Sequence, residues 1–228
     1  QIAIYGANIH TIPGERQNAT KAAYKALEEG MVYASHAWNP IYLLGQQTAA
    51  WEVWEQHEQR VPEWVVMPVG QGGNLLGYYE GFRVLLEAGL IERLPRIVAV
   101  QPQKLAPICD AFENDWKEWP EISPPWQGSI AEGLAITHPV RWQQVLHAIK
   151  ESAGFCVRVS EEDIFAAQNF LARKGFYVEP TSAVVVAAFK KVKKFIERDQ
   201  FVVFSLTGSG LKTNPKIDNN VEVNEIKS

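Results

Sequence analysis

Cysteine is scarce in this sequence: Cys109 and Cys156 are the two among 228 residues. They are far apart and in no metal-ligand or redox spacing, so a disulfide framework is excluded and two reduced structural thiols are expected. Five histidines, His10, His36, His57, His138 and His147, form no ligand pattern such as H-E-x-x-H. Each is expected on the surface or as a satisfied core residue, and no metal site is expected. No apolar run approaches the length that spans a bilayer. Positive charge is not in excess either: the net charge is −4 at pH 7, which argues against a nucleic-acid or anionic-membrane partner. The first residues, Gln1-Ile2-Ala3-Ile4-Tyr5-Gly6-Ala7, lack a basic segment and a long apolar segment. No signal peptide is therefore expected, and a cytoplasmic location is. An initiator methionine is also lacking, and the chain opens abruptly on apolar residues, as a truncated chain would.

Hydrophobic residues make up 46% and charged residues 21%, a balance that supports a sizeable core in one large domain or two small ones. Short apolar runs alternate with helix-period segments. Strands are expected over residues 8–12, 31–34, 64–69, 96–101, 154–159 and 201–206. Helices are expected from Asn18 as a cap to Glu29, from Pro40 to about His57, and over 73–87, 141–151, 161–174 and 181–197. The Pro- and Trp-rich stretch 116–127 reads as a loop. The alternation predicts an α/β fold with a mostly parallel sheet flanked by helices. Unbroken apolar runs such as Val65-Val66 and Val202-Val203-Phe204 suit strands buried on both faces. A boundary is expected within 38–60, and the tail from Asn214 is polar and aperiodic. Trp51 and Trp54 share a helix face and read as core; Lys190, Lys191, Lys193 and Lys194 read as a solvated face near a helix C-terminus.

The stretch Met67-Pro68-Val69-Gly70-Gln71-Gly72-Gly73-Asn74-Leu75-Leu76-Gly77 follows a buried strand and opens a helix. Glycines let backbone N–H groups approach a ligand, and a helix start adds unpaired donors and the positive dipole end. A Walker loop would need Gly-Lys-Ser/Thr where Gly73-Asn74-Leu75 stands. The dinucleotide pattern G-x-G-x-x-G would need glycine at Leu75. A tight turn without a ligand is the plain alternative; the density of glycine between strand and helix favours anion binding.

Further motifs surround this loop in order: Asn39-Pro40, Gly45-Gln46-Gln47-Thr48-Ala49-Ala50, Ala131-Glu132-Gly133-Leu134-Ala135-Ile136, Glu179-Pro180-Thr181-Ser182-Ala183 and Leu206-Thr207-Gly208-Ser209-Gly210-Leu211-Lys212. Together they resemble the threonine synthase family, within the tryptophan synthase β-like fold of pyridoxal 5'-phosphate (PLP) enzymes. The resemblance runs from Tyr5-Gly6-Ala7 to about Lys212. It implies that Gly70, Gln71, Gly72, Gly73 and Asn74 cradle the cofactor phosphate. Thr207 would hydrogen-bond the pyridine nitrogen, tuning the electron sink mildly. Glu179 would line the pocket by the ring, although an acid at a helix N-terminus has a structural reading of equal weight.

The resemblance also implies domains: residues 1–40 as the remainder of a small α/β domain, 41–213 as a large PLP-binding domain and 214–228 as a polar tail. The family's Schiff-base lysine lies in a segment like Ser-Phe-Lys-Asp-Arg, and this chain contains nothing like it. No catalytic residue is therefore assigned, the fold is expected to be incomplete at the N-terminus, and the chain alone is expected to be inactive. It would be a fragment, one half of a split enzyme or a degenerate homologue. Family members usually carry serine and arginine where Ala37 and Tyr42 stand, which removes the guanidinium expected to grip a substrate phosphate. The expected activity is a PLP-dependent carbon–oxygen lyase of amino-acid biosynthesis, making threonine from O-phosphohomoserine. The alternatives are a serine/threonine dehydratase-like lyase and a non-catalytic truncated homologue. The expected partners are a small amino-acid substrate and, because missing strands would expose edges and apolar faces, a second copy in a homodimer.

Overall fold

The computed structural model of the chain describes residues 2–14, 16–121 and 125–212. The tail 214–228 lies outside the described residues. The chain divides into two compact units, Gln1–Asn39 and Pro40–Ser228.

The first unit contains a 3-10 turn at Ala3–Tyr5 and helix α1 (Arg16–Glu28). The helix begins before Asn18, so Asn18 is not its cap; its amide Nδ2 instead donates to the Pro13 carbonyl at 3.2 Å. Gly30 ends the helix as expected, with φ +87°, and Met31 N–H returns to Ala26 O at 3.3 Å. Tyr24 meets Tyr33 and Trp38 edge-to-face at 5.6 and 5.9 Å between centroids. The strands expected over 8–12 and 31–34 do not form. Their residues favour extended backbone, but a strand is stable only when its N–H and C=O groups find a paired neighbour.

The second unit follows the expected alternation: α2 (Ile41–Gln56), β1 (Trp64–Pro68), α3 (Gly73–Glu87), β2 (Arg96–Pro102), α4 (Pro107–Glu113), α5 (Trp142–Glu151), β3 (Phe155–Val159), α6 (Glu161–Arg173), α7 (Pro180–Ala187), α8 (Phe189–Val192) and β4 (Val202–Phe204). The strands stand in the order β3-β2-β1-β4, all parallel. Side chains alternate across the sheet, and both faces are covered. Val65, Met67, Ile97 and Ala99 pack into one core with α3 and α5. Trp64, Val66, Val98 and Val100 pack into the other with α6 and α7. Every residue of β1 is buried, which is why the sheet strands read as continuous apolar runs. Burying one such side chain is worth roughly 1.5–3 kcal/mol.

Helices α2 and α3 approach closely because Gly73, Gly77 and Gly81 recur every four residues along α3 and present bare backbone. A Cβ at Gly77 would lie 2.5 Å from Gln46 Cβ, and one at Gly81 2.5 Å from the Gln47 carbonyl. Trp51 Nε1 donates across this seam to Gly81 O at 3.0 Å, and Trp51 and Trp54 both pack on the core. The helix expected over 181–197 is interrupted after α7 at Ala188; α8 follows, and a 3-10 turn at Lys193–Phe195 ends it. The interruption is slight: Ala188 keeps right-handed helical angles, φ −70° and ψ −16°, and Val192 N–H still bonds to Ala188 O at 3.0 Å. Lys190, Lys191, Lys193 and Lys194 are all exposed.

Candidate functional site

Adjacent parallel strands β1 and β4 release their chains at the same edge of the sheet, with Val66 in register with Phe204. The loop after β1 carries the glycines and the loop after β4 carries Thr207. Ligands of open parallel sheets bind at this carboxyl edge.

Val69 N–H bonds to Val100 O at 3.0 Å, and Leu76 N–H bonds to Gly72 O at 2.9 Å. Between them, the N–H groups of residues 70–75 have no hydrogen-bond acceptor among the described residues. Gly72 makes the turn in the left-handed region at φ +86°, and α3 starts at the next residue. A Cβ on Gly72 would sit 2.2 Å from Val145 Cγ2, and one on Gly70 would sit 3.0 Å from Gly133 O. The glycines are thus required both by the turn and by the neighbours behind it. Gly70 and Gly72 are buried, Gln71, Gly73 and Asn74 are half-buried, and Thr207 is exposed. Unbonded N–H groups at a helix start, partly open to solvent at Gln71, Gly73 and Asn74, are chemically suited to receive a phosphate dianion.

The other expected residues gather around this edge. Glu179 N–H donates to Gly208 O at 3.0 Å, and its carboxylate lies over Gly208, since a Cβ there would meet Glu179 Oε1 at 1.8 Å. Thr207 N–H is held by buried Ser182 Oγ at 2.9 Å. Gly133 N–H donates to Thr181 Oγ1 at 3.1 Å, which ties the 131–136 segment to α7. The Gln71 side chain is engaged by a neighbouring segment: its Oε1 accepts from Val140 N–H at 3.0 Å.

Sequence reading missed Gln101. It is completely buried at the end of β2. Its Nε2 donates to Val69 O at 3.0 Å, and its Oε1 accepts from Ile108 N–H at 2.9 Å and Cys109 N–H at 3.1 Å. It clamps the start of the glycine loop and caps α4, whose own N-cap Ala106 offers no side-chain acceptor. The signal was present: one glutamine inside an otherwise apolar strand. Gln46, within the Gly45–Ala50 motif, has its Oε1 buried without a hydrogen-bond partner among the described residues, 3.2 Å from where a Gly73 Cβ would be.

Cys109 and Cys156, distant in sequence, meet between α4 and β3. The Cys109 thiol and burial together push the Cys156 thiol well above its ordinary value, which disfavours its thiolate, and both cysteines are free. Among the described residues no group of histidine, cysteine or acidic side chains could hold a metal ion, and no helix is long and apolar enough to cross a membrane.

A family model described as pyridoxal-phosphate dependent enzyme matches residues 1–208. The chain is 35% identical to a threonine synthase of Methanocaldococcus jannaschii over 93% of its own length and 53% of that protein. It is 34% identical to a threonine synthase of Synechocystis over 93% of its length and 53% of that protein. The chain thus spans about half the length of these curated relatives. Among solved structures it is similar to a threonine deaminase of T.th., with TM-score 0.74 and 24% identity over 93% of this chain and 66% of that one. It is also similar to a fungal L-serine ammonia-lyase from Rhizomucor miehei, with TM-score 0.76 and 19% identity over 91% of this chain and 64% of that one. The last two likenesses bear on the fold alone.

Proposed function

We propose, from the premise that this chain belongs to the pyridoxal-phosphate-dependent enzymes, that the protein it represents is a carbon–oxygen lyase acting on an amino acid, with threonine synthase as the first candidate. The observation that carries this reading is the row of N–H groups of residues 70–75, without acceptors among the described residues, beside Thr207 at the carboxyl edge of β1 and β4. Gly70, Gln71, Gly72, Gly73 and Asn74 would hold the cofactor phosphate through backbone N–H donors and the positive end of α3. The Thr207 hydroxyl would meet the pyridine nitrogen, and Ser182 fixes Thr207 for that role. Glu179 would line the pocket next to Gly208. When bound, the cofactor supplies an electron sink for negative charge developing on the substrate. No lysine occurs between residues 61 and 103, and we assign no catalytic lysine within this chain. In this reading the unit Pro40–Ser228 is the larger cofactor-binding domain, and Gln1–Asn39 belongs to a smaller one. The protein would be cytoplasmic and homodimeric.

A serine/threonine dehydratase-like activity is the second reading. It is favoured by Tyr42, which stands where the threonine synthase resemblance leads one to expect arginine, and a phenol cannot match a guanidinium at a phosphate ester. A non-catalytic homologue is the third reading. The discriminating experiment supplies the whole protein with PLP and, separately, O-phosphohomoserine, threonine and serine. Phosphate release with threonine formation supports the first reading. Ammonia with 2-oxobutyrate or pyruvate supports the second. Turnover of none of them, in a protein that binds PLP, leaves the non-catalytic reading. A failure of Gly72→Ala to weaken PLP binding by at least about tenfold would remove the loop from the site.

A further inference from the structure

A cavity of ≈ 580 Å³ lies beside α6 and is walled by both signs of charge: Lys104 and Lys212 on one hand, Glu132 and Glu161 on the other. None of the four makes an ion pair with another charged side chain among the described residues. Glu161, Phe165 and Gln168 fall at i, i+4 and i+7 on one stripe of α6 and all line the cavity. The stripe lies beside the buried face of that helix, which is formed by Ile164, Ala167 and Leu171.

The walls are tied to one another. Ile130 N–H donates to Glu161 Oε2 at 2.8 Å, Gln127 N–H to Lys104 O at 2.9 Å, and Gln168 Nε2 to Val178 O at 2.9 Å. The hollow is therefore preformed. The second carboxylate oxygen, Glu161 Oε1, is buried and has no hydrogen-bond donor among the described residues. With Oε1 buried and Oε2 held by Ile130 N–H, Glu161 acts on the cavity through its charge rather than through a free acceptor. Glu161 and Lys104 also line the adjoining hollow of ≈ 440 Å³ that contains Trp126.

We propose that this cavity binds a free α-amino acid, at a site separate from the glycine loop. The ligand must carry both charges. Its ammonium would answer Glu161 and Glu132, and its carboxylate would answer Lys212 and Lys104. The Phe165 ring offers an apolar surface to the ligand's side chain. A doubly charged anion or cation would leave one pair of wall charges facing its own sign. This assignment does not depend on the cofactor reading, because it uses none of residues 70–74, Glu179 or Thr207.

Calorimetric titration of the protein with each common L-amino acid tests it, with the decarboxylated amine and the des-amino acid of the best binder as single-charge controls. The expected result is saturable binding of at least one amino acid, weakened about tenfold or more in either control. Glu161→Gln and Lys212→Gln should each weaken it by a similar factor. Glu161→Gln retains an acceptor for Ile130, and Lys212 is exposed, so neither change threatens the fold. Thr207→Val and saturating PLP should leave the binding unchanged. The proposal is overturned if no amino acid binds, if binding survives both charge-removing variants, or if PLP or Thr207→Val abolishes it. The last outcome would move the ligand to the cofactor site.

Discussion

Gln101 shows how one side chain can set the geometry of a site it does not enter. Gln101→Leu conserves bulk but strands Val69 C=O, Ile108 N–H and Cys109 N–H in the interior. Each unsatisfied buried group costs about 1–3 kcal/mol, so the variant should lose about 3 kcal/mol or more in urea unfolding. PLP affinity should fall with it, because Val69 leads directly into the cradle. Asp115 offers a test of a different kind. It bridges Lys117 at 2.7 Å and Lys150 at 2.5 Å, and its hydrogen bonds to Lys117 and then Lys150 lower its carboxyl from 3.8 to about 2. A depressed folded-state value means that the stabilisation is present above 3.8 and fades as pH falls toward 2. Asp115→Asn keeps a residue tolerant of φ +49°. It should lower Tm relative to the native chain above about pH 4 by a small, salt-sensitive amount. The two melting curves should converge near pH 2.

At the scale of elements, the α2–α3 seam inverts an ordinary expectation. Glycine to alanine inside an exposed helix stabilises by about 1 kcal/mol. At Gly77 the added methyl would meet Gln46 Cβ at 2.5 Å and its carbonyl carbon at 2.9 Å, where helix backbone cannot yield cheaply. Gly77→Ala should therefore destabilise by about 1–3 kcal/mol, read as a lower denaturant midpoint at unchanged slope. The same contrast explains what the sequence could show. Strand–helix alternation and the glycine loop were legible because periodicity and turn chemistry are local, and β1, α3 and α6 form close to where their residues put them. The roles of Gln101, Ser182 and Gln46 depend on partners many residues away, which no window of sequence contains. Residues 8–12 and 31–34 failed as strands for the same reason: their composition is suitable, but a ladder is a property of pairs. The helix start before Asn18 and the interruption at Ala188 were misplaced boundaries within elements that do form.

For the whole molecule, the apolar surface of the first unit decides how the chain should behave on its own. Ile4 is 83%, Tyr5 78%, Met31 63% and Val32 91% exposed. Isolated exposed aliphatic residues are ordinary, but several within one unit of Gln1–Asn39 form apolar surface of the sort that soluble monomers avoid. The segments around Ile9 and Val32 add extended-prone backbone with no ladder partner among the described residues, which invites pairing with another chain. Each apolar side chain removed from water is worth roughly 1.5–3 kcal/mol at most, and association must first offset several kcal/mol of lost rigid-body freedom. A few such contacts per copy therefore give reversible association that strengthens with concentration, not an immediate aggregate. Sedimentation velocity of the 228-residue chain should show a weight-average size rising with concentration, and Ile4→Lys with Val32→Lys should shift it back toward monomer. A single monomeric boundary at every concentration would mean that this surface is covered from within the chain. The exposure of the first unit would then not persist in solution.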